Sequence, residues 1–288
     1  MRNLTQENVT DALLRSFDQT PDPRLKEIMR AVVRHLHELA REVHLTQEEW
    51  LSAMHLLLRA GKISDERRNE FVMFSDVLGL SALVDLMNRG HGQSETAASQ
   101  LGPFFYDNLP IAPSHIVDLR QNFPGEPVVF AGTVQSNDGA PILGAQVDLW
   151  QTDNEGLYDV QRPELKDYRF RCRLQTPADG RFLVKTIKPL GYTAPMDGPG
   201  GEMLIATRRN IWRPGHFHFK IRADGFKTLV TELFPEGDQH LDNDVAFGVR
   251  ESLVIPMPLC HSAEAAQQVG MPVPFTKVDY VFRMLPSE

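Results

Sequence analysis

The sequence predicts an α+β protein in which an N-terminal helical domain is followed by an antiparallel β-sandwich. Over about the first ninety positions, apolar residues recur with the period of a helix. From about Pro127 onward they alternate with the period of a strand. No helical pattern is evident between the strand candidates, which favours a sandwich over an α/β sheet. We place the domain boundary at residue 100, giving predicted domains at 1–100 and 101–288.

Two helices are predicted early in the first domain. Pro23 suits a helix start, and Thr46–Glu49 fits a capping box for the second helix, which Gly61 ends. The apolar residues of the first helix form one stripe, namely Ile28, Met29, Val32, Val33, Leu36, Leu39, Ala40 and Val43.

Two more helices and a linker complete the first domain. A third helix is expected from about Ser64 towards Gly79, and a short fourth helix over 81–88. The stretch 88–100 breaks the helical pattern and is predicted to be a linker.

Short strands dominate the second domain. Two strand-like runs surround a Gly/Pro/Asn turn within 127–153. A second pair lies within 170–187, with Ala178-Asp179-Gly180 predicted as its hairpin turn. The other strand candidates are His216–Ile221, Thr228–Phe234 and 277–285.

Composition limits the classes of function. The chain has 288 residues and a formal net charge of −8 without a basic run, so a nucleic-acid partner or an anionic membrane surface is not expected. Neither a secretory leader nor an apolar run long enough for a membrane span is evident. With Cys172 and Cys260 as the only cysteines, neither a disulfide framework nor a zinc–thiolate site is expected. These features predict a soluble cytoplasmic protein.

Two histidines one residue apart mark a possible metal site in "RPGHFHFKI". On a strand, His216 and His218 point to the same face, close enough to converge on one ion. His35 and His37 have the same spacing, but their helix turns about 200° over two residues and separates the rings. We interpret that second pair as surface residues.

The spacing alone leaves the function of the first pair open. In one alternative, the two histidines lie on a solvated strand face and bind no metal. The protein would then be a non-enzymatic β-sandwich module whose helices serve as an interaction arm. Glu232 or His240 could instead complete an Fe(II) site of cupin type. Tyrosines are the other donors, because a trivalent iron holds a phenol as phenolate. Tyr158 and Tyr192 occupy turn-rich segments beside predicted strands, where ligands are often placed.

Longer motifs carry a family resemblance. "LWQTDNEGLYDV", "GYTAPMDGPGGEML" and "RPGHFHF", in this order, resemble the intradiol ring-cleaving dioxygenases of the catechol and hydroxyquinol type. "FSDVLGLSALVD" and "LGPFF" are similar to the substrate-pocket segments of that family. The resemblance covers most of the chain.

The resemblance implies an iron centre and an assembly. It implies one non-haem Fe(III) per subunit, a homodimer joined by the N-terminal helices, and in some members a lipid at that interface. Tyr192 would leave the iron and accept a substrate proton, and Arg213 would stabilise negative charge on the substrate. The implied ligands are Tyr158, Tyr192, His216 and His218.

The resemblance also implies a small aromatic diol or triol and O2 as substrates. Asp76, one helical turn after Met73, matches an acid of hydroxyquinol-cleaving relatives, so hydroxyquinol is the predicted substrate and catechol the alternative. Two positions depart from many relatives: Glu232 replaces a glutamine, and Ala194 replaces a bulkier aliphatic. The predicted substrate contacts are Met73, Asp76, Gly102, Pro103, Phe104, Ala194, Pro195 and Glu232.

Overall fold

The structure is a computed structural model that describes residues 2–88, 95–120, 123–162, 164–165 and 167–287. The chain forms two compact units, residues 1–58 and 59–288. The first unit therefore ends earlier in the chain than the predicted domain boundary at residue 100. Among the described residues, no helix combines the length and the apolar character that crossing a bilayer requires.

Helices form the first unit. They are α1 (Val9–Ser16), α2 (Pro23–Glu42) and the beginning of α3 (Gln47–Ile63). The Asp22 carboxylate accepts hydrogen bonds from the backbone N–H of Arg24 and Leu25 at 2.8 and 3.1 Å, so α2 begins where Pro23 predicts. The predicted stripe on α2 has a solvent-exposed edge, with 42–58% of each residue accessible at Ile28, Val32, Leu36, Leu39 and Val43.

Within the described part of the second unit there are four further α-helices. They are α4 (Glu70–Val77), α5 (Leu80–Asn88), α6 (Pro199–Ala206) and α7 (Ala263–Val269). The predicted start near Ser64 is wrong, because the Asn69 side chain caps α4 by accepting from the N–H of Phe71 and Val72. The sequence also did not predict α1, α6 or α7.

The predicted linker is only partly within the described residues. Residues 89–94 lie outside them. Residues 95–100 are half-buried or buried, and Ser99 N–H donates to the Val230 carbonyl at 3.0 Å. This part of the stretch belongs to the packed unit and is not a free linker.

Two five-stranded sheets and one two-stranded sheet complete the second unit. The first sheet has the order β1 (Ile116–Asp118), β5 (Arg181–Ile187), β2 (Pro127–Ser136), β12 (Phe275–Met284) and β11 (Leu259–Cys260). The second has the order β10 (Val254–Ile255), β9 (Leu229–Pro235), β8 (Phe217–Arg222), β3 (Gln146–Trp150) and β4 (Arg171–Gln175). The small sheet pairs β6 (Tyr192–Thr193) with β7 (Trp212–Arg213).

The β-sandwich is confirmed, but its sheets are mixed and not purely antiparallel. β1 with β5, β9 with β10, and β2 with β12 are parallel pairs. The turn at 178–180 joins β4 to β5, which lie in different sheets, so the predicted hairpin is wrong. Strand periodicity locates a strand but carries no information about its neighbour, and this explains both errors.

Alternation along β8 creates the two faces on which the site depends. Phe217 and Phe219 point into the core, where the Phe219 ring lies 5.0 Å from that of Phe130 on the first sheet. His218 lies between them in sequence and points to the opposite face. Packing of the two phenylalanines in the core thus fixes the orientation of β8, and this orientation directs the His218 side chain to the opposite face.

Candidate metal centre

Four donor side chains reach one point from three places in the chain. His218 lies on β8, and His216 immediately precedes that strand. Tyr192 begins β6, where it pairs with Arg213 of β7, and Tyr158 precedes a short 3-10 turn. All four side chains are buried or nearly so.

The four donor atoms form a compact cluster. Tyr158 Oη lies 3.1 Å from Tyr192 Oη, 3.3 Å from His216 Nε2 and 3.0 Å from His218 Nε2. His216 Nε2 lies 3.0 Å from His218 Nε2 and 3.4 Å from Tyr192 Oη. Donors that bind one ion at about 2 Å with angles near 90–110° are separated by roughly 3 Å. The cluster therefore fits a single metal ion.

Burial prepares both histidines for this role. It lowers the pKa of His216 to about 4, with a further contribution from Arg213, and it lowers the pKa of His218 well below its ordinary value. Both rings are neutral at pH 7 and have a lone pair for a metal. The Pro214 carbonyl lies 2.8 Å from His216 Nδ1 and accepts a hydrogen bond from a proton on that nitrogen, which leaves Nε2 as the donor atom for a metal.

The tyrosines need a cation to ionise. Burial raises the pKa of Tyr158 well above its ordinary value, and it raises that of Tyr192 to about 12 despite the opposing charge of Arg213. Both phenols are thus protonated at neutral pH in the metal-free protein. A trivalent ion would reverse this preference, because it stabilises phenolate directly.

Glu232 forms a second possible cluster with the two histidines. Its Oε1 lies 3.4 Å from His216 Nε2 and 3.5 Å from His218 Nδ1. The same His218 ring presents Nε2 to Tyr158, so it cannot serve both clusters at once. Glu232 is also engaged elsewhere, since Arg213 Nη1 donates to Oε1 at 2.9 Å and Ser99 Oγ donates to Oε2 at 2.6 Å.

His240 lies outside both clusters. Its ring stacks on Trp212 with centroids 4.8 Å apart, and its Nδ1 lies 3.2 Å from Asn243 Oδ1. The cupin-type alternative therefore has only Glu232 as a third ligand. Of the histidines predicted to be surface residues, His35 is exposed, whereas His37 is half-buried with its ring nitrogen 2.9 Å from Thr10 Oγ1.

Arg213 lies between two carboxylates. Besides its contact with Glu232, its Nε donates to Asp244 Oδ1 at 2.9 Å and its Nη2 to Asp244 Oδ2 at 3.1 Å. Burial opposes charge on the guanidinium, but Asp244 and Glu232 outweigh it and hold the pKa of Arg213 well above its ordinary value. Burial likewise favours protonation of Glu232, and Arg213 reverses it, so the pKa of Glu232 is lowered.

α4 brings two predicted substrate contacts beside the small sheet. Met73 is buried in an apolar cluster with Val77, Ala194, Leu204 and Val245. Asp76, on the same helix, has an oxygen, Oδ1, without a hydrogen-bond partner among the described residues. Burial raises the pKa of Asp76 to about 7, while a hydrogen bond from Ser81 and the charge of Arg213 lower it.

The segment 101–106 covers the other side of the donor cluster. A Cβ on Gly102, whose φ is +73°, would lie 3.1 Å from Cε1 of His218, so glycine permits this close approach. The Pro103 carbonyl accepts from the N–H of Asn69 at 3.0 Å. The Phe104 ring lies 5.1 Å from that of Tyr158.

Pro195 contributes to a cavity at the outer side of the site. This open cavity, of about 610 Å³, is also lined by Tyr192, Ala194, Met196 and Trp212. It connects the half of the donor cluster that holds Tyr192 with solvent.

Four contributors to the site were not predicted: Ser99, Trp150, Arg171 and Asp244. Strand alternation could have predicted Trp150, because it lies two residues after Asp148 on β3 and therefore on the same face of the strand, the face that bears the site. Ser99 and Asp244 lie in loops, far from their partners in sequence, and no local pattern connects them.

Comparisons with known proteins agree with this geometry. Residues 101–285 match the sequence profile of the family described as "Dioxygenase", and residues 22–96 match "Catechol dioxygenase N terminus". The chain is 44% identical over 254 residues to the 6-chlorohydroxyquinol 1,2-dioxygenase of Cupriavidus pinatubonensis, covering 88% of this chain and 92% of that protein. It is 43% identical over 250 residues to the hydroxyquinol 1,2-dioxygenase of Nocardioides simplex, covering 86% and 84%.

A solved structure supports the same relationship. The hydroxyquinol 1,2-dioxygenase of Pseudomonas putida DLL-E4 is 37% identical to this chain, with a TM-score of 0.80. The superposition covers 98% of this chain and 99% of that one.

Proposed function

The chain belongs to the family of intradiol ring-cleaving dioxygenases, and from this premise we propose that it cleaves hydroxyquinol. In this reaction O2 opens the ring of 1,2,4-trihydroxybenzene between the two carbons that carry adjacent hydroxyls. Both oxygen atoms enter the product, 3-hydroxy-cis,cis-muconate, which is the tautomer of maleylacetate. The observation that carries the proposal is the cluster of two phenols and two imidazoles within 3.0–3.4 Å.

We propose one Fe(III) per subunit, held by Tyr158, Tyr192, His216 and His218. Two phenolates and two neutral imidazoles suit a trivalent iron, and the donor spacing supports one ion. When bound, the iron would be chelated by the two adjacent oxygens of the diol, and this would make the ring reactive towards O2. The rest of the chemistry is assigned to side chains of the chain.

Tyr192 is proposed to move the first proton. It lies at the edge of the donor cluster next to the open cavity, and burial favours its protonated form. A phenolate at this position is therefore a strong base, which can take a proton from a hydroxyl of the incoming substrate. The buried Tyr158 is instead proposed to remain a ligand throughout.

Arg213 is proposed to stabilise the negative charge that develops on the ring oxygens. Its Nη1 lies 3.4 Å from His216 Nε2, so the guanidinium reaches the donor cluster. Asp244 and Glu232 together carry more negative charge than Arg213 carries positive. Arg213 therefore acts here as a fixed donor of hydrogen bonds, and it is not a source of net positive charge.

Asp76 is proposed to select hydroxyquinol over catechol. Its unpaired Oδ1 can accept a hydrogen bond from a third ring hydroxyl, which catechol lacks. The relatives named for hydroxyquinol reach 38–43% identity, whereas a catechol 1,2-dioxygenase of Candida albicans is 31% identical. Catechol, with cis,cis-muconate as its product, remains the second candidate on the shared diol chemistry.

We propose a cytoplasmic homodimer joined by the helical residues 1–100. The exposed stripe of α2 supports this interface, because monomeric proteins rarely leave so extended an apolar surface in water. Apolar side chains of α3 are also exposed, namely Trp50, Leu51, Met54, Leu57 and Leu58. A lipid chain between the helices of the two subunits would cover apolar surface that the dimer leaves open.

A combined assay of iron, colour and product tests the function. Iron-replete protein should contain about one iron per chain and show the wine-red absorption of tyrosinate bound to Fe(III). It should cleave hydroxyquinol more efficiently than catechol. A colourless iron protein would contradict the tyrosine ligands, and a yellow semialdehyde product would contradict cleavage between the hydroxyls.

A further inference from the structure

A row of four buried residues crosses the second sheet beside the donor cluster. Register pairs Arg171 of β4 with Trp150 of β3, Trp150 with His218 of β8, and His218 with Glu232 of β9. Residues directly opposite each other in antiparallel strands project to the same face. The row thus places three supporting side chains in line with one proposed ligand.

Two members of the row directly contact residues of the proposed site. The indole of Trp150 stacks on the imidazole of His218, with centroids 4.6 Å apart and planes 5° from parallel. Glu232 accepts from Arg213. Among the described residues, the side chain of Arg171, at the far end of the row, hydrogen-bonds to Asp159 and the Phe104 carbonyl and to no proposed ligand.

Arg171 instead holds the backbone on which Tyr158 is mounted. Its Nε donates to Asp159 Oδ2 at 2.8 Å, its Nη2 donates to the same carboxylate, and both side chains are 1% exposed. Asp159 directly follows Tyr158, and its carboxylate also accepts from the N–H of Val160 at 2.9 Å. The fork of Arg171 therefore fixes the start of the turn that carries the phenol.

The same guanidinium holds the segment on the other side of the Tyr158 ring. Arg171 Nη1 donates to the Phe104 carbonyl at 3.0 Å. The Phe104 ring contacts the Tyr158 ring at 5.1 Å. One buried cation thus holds both Asp159, which adjoins Tyr158 in the chain, and Phe104, against which the Tyr158 ring packs.

We propose that Arg171, acting through Asp159 and Phe104, is a positioning residue for the Tyr158 phenolate. The inference rests on the proposed iron site, for which Tyr158 is a ligand. Arg171 does not contact the donor atoms, so its role is to restrict the position and orientation of the phenol. Partners of metal ligands commonly change metal affinity or activity by roughly 10- to 100-fold when they are removed.

The neighbouring Arg173 provides a matched control. It lies two residues along the same strand, forms a buried ion pair with Asp148, and donates to the Asp107 carbonyl at 2.8 Å. Its chemistry therefore resembles that of Arg171, but its carboxylate partner does not adjoin a proposed ligand. Loss of either guanidinium should lower the stability of the fold to a similar extent.

The test compares Arg171→Lys with Arg173→Lys in iron-loaded protein. For Arg171→Lys we expect a displaced tyrosinate-to-iron absorption band, iron loss to a chelator roughly 10- to 100-fold faster, and a lower kcat. For Arg173→Lys we expect the band and the rate of iron loss of the wild type. Arg171→Lys with a wild-type band and wild-type iron retention, at a lowered Tm, would overturn the inference.

Asp159→Asn, with Asp148→Asn as its control, is the second variant should Arg171→Lys fail to fold. Asp159→Asn keeps the size of the side chain and should displace the tyrosinate-to-iron absorption band in the same direction as Arg171→Lys. An unchanged band in this variant would also overturn the inference. Wild-type protein without iron or colour would instead refute the proposed function. The two failures are therefore distinguishable.

Discussion

Arg213 Nη1 and Glu232 Oε1 lie 2.9 Å apart in a site where their side chains are 6% and 0% exposed. Ser99 holds the second oxygen of the same carboxylate. Because Asp244 also binds Arg213, the three charged groups sum to a negative charge beside the proposed iron. A substrate that binds as an anion must be accommodated against this charge.

Glu232→Gln should relieve this repulsion. The amide oxygen can still accept from Arg213, and Ser99 can accept from the amide nitrogen while donating to the Gly248 carbonyl, 3.0 Å away. We expect KM to fall for hydroxyquinol and catechol alike, by roughly tenfold if the repulsion that is removed amounts to about 1.4 kcal/mol of binding free energy. Steady-state kinetics check this, with the exposed Glu236→Gln as control. A higher KM for both substrates would show that the carboxylate assists binding.

Asp76→Asn should narrow the preference for hydroxyquinol over catechol. An ionised Asp76 accepts a charge-assisted hydrogen bond from the third hydroxyl, which catechol lacks, and the neutral amide of the variant is a weaker acceptor. The difference corresponds to roughly 1–3 kcal/mol, or about one to two decades in the ratio of kcat/KM values. The red absorption should not change, because Asp76 is not a proposed ligand. Equal kcat/KM values for the two substrates in the wild type would refute the selection by Asp76.

Asp76 should also make stability depend on pH. Burial raises its pKa to about 7 from 3.8, so the folded state binds this proton more tightly than the unfolded state. The stability that this proton supplies is present at low pH and is lost as pH rises towards 7. The free energy of unfolding of the iron-free wild type should therefore fall by up to about 3 kcal/mol between pH 5 and 8 because of this group.

The comparison with Asp76→Asn isolates that contribution. The lowered pKa values of His216 and His218 act in the opposite direction. Their contribution to the free energy of unfolding is lost as the pH falls below the pKa that each histidine has in the unfolded state. Denaturant unfolding of both proteins at several pH values measures the difference. A constant difference from pH 5 to 8 would contradict the raised pKa of Asp76.

Binding of a trivalent metal should release protons from the two tyrosines. Both phenols are protonated in the metal-free protein at pH 7, because burial raises their pKa values. Tyr158→Phe and Tyr192→Phe should each release one proton fewer than the wild type. Calorimetry of metal loading in buffers of different ionisation enthalpy counts these protons. A release from either variant that equals the wild-type value would exclude that tyrosine as a ligand.

The α2 stripe should control the oligomeric state. Leu36 is 58% exposed near the middle of the stripe, and a buried glutamate there would oppose dimer formation. We expect Leu36→Glu to be a monomer by light scattering at micromolar concentration while the wild type is a dimer. Arg34→Glu, on the opposite face of the helix, should remain a dimer. A monomeric wild type would refute the proposed interface.

Local periodicity predicted the part of the site at the start of β8. His216 immediately precedes β8 and continues the alternation of the strand, so it shares a face with His218, and this needs no knowledge of the rest of the fold. The two tyrosines were candidates because of their turn-rich segments, but their assignment as ligands came from the resemblance, because nothing in those segments fixes where the phenols point. The link between Arg213 and Asp244 spans 31 positions and depends on the closing of a loop, which no local pattern encodes.

The errors in the fold have a similar origin. The pattern of β4 and β5 predicted two adjacent strands correctly but not that they belong to different sheets. α6 was missed because it begins with Pro199, Gly200 and Gly201, which resemble a loop. The two glycines allow close packing instead, since a Cβ at Gly200 would lie 3.1 Å from Met73.

The parallel pairing of β12 with β2 has a consequence for synthesis on the ribosome. β12 is the last strand of the described residues, yet it fills a place inside the first sheet between β2 and β11. A nascent chain therefore carries all four proposed iron ligands well before it can complete the sheet that closes the core. Until then one edge of β2 has no partner strand, and such edges promote association between chains. Deletion of β12 should yield aggregates although no ligand is lost.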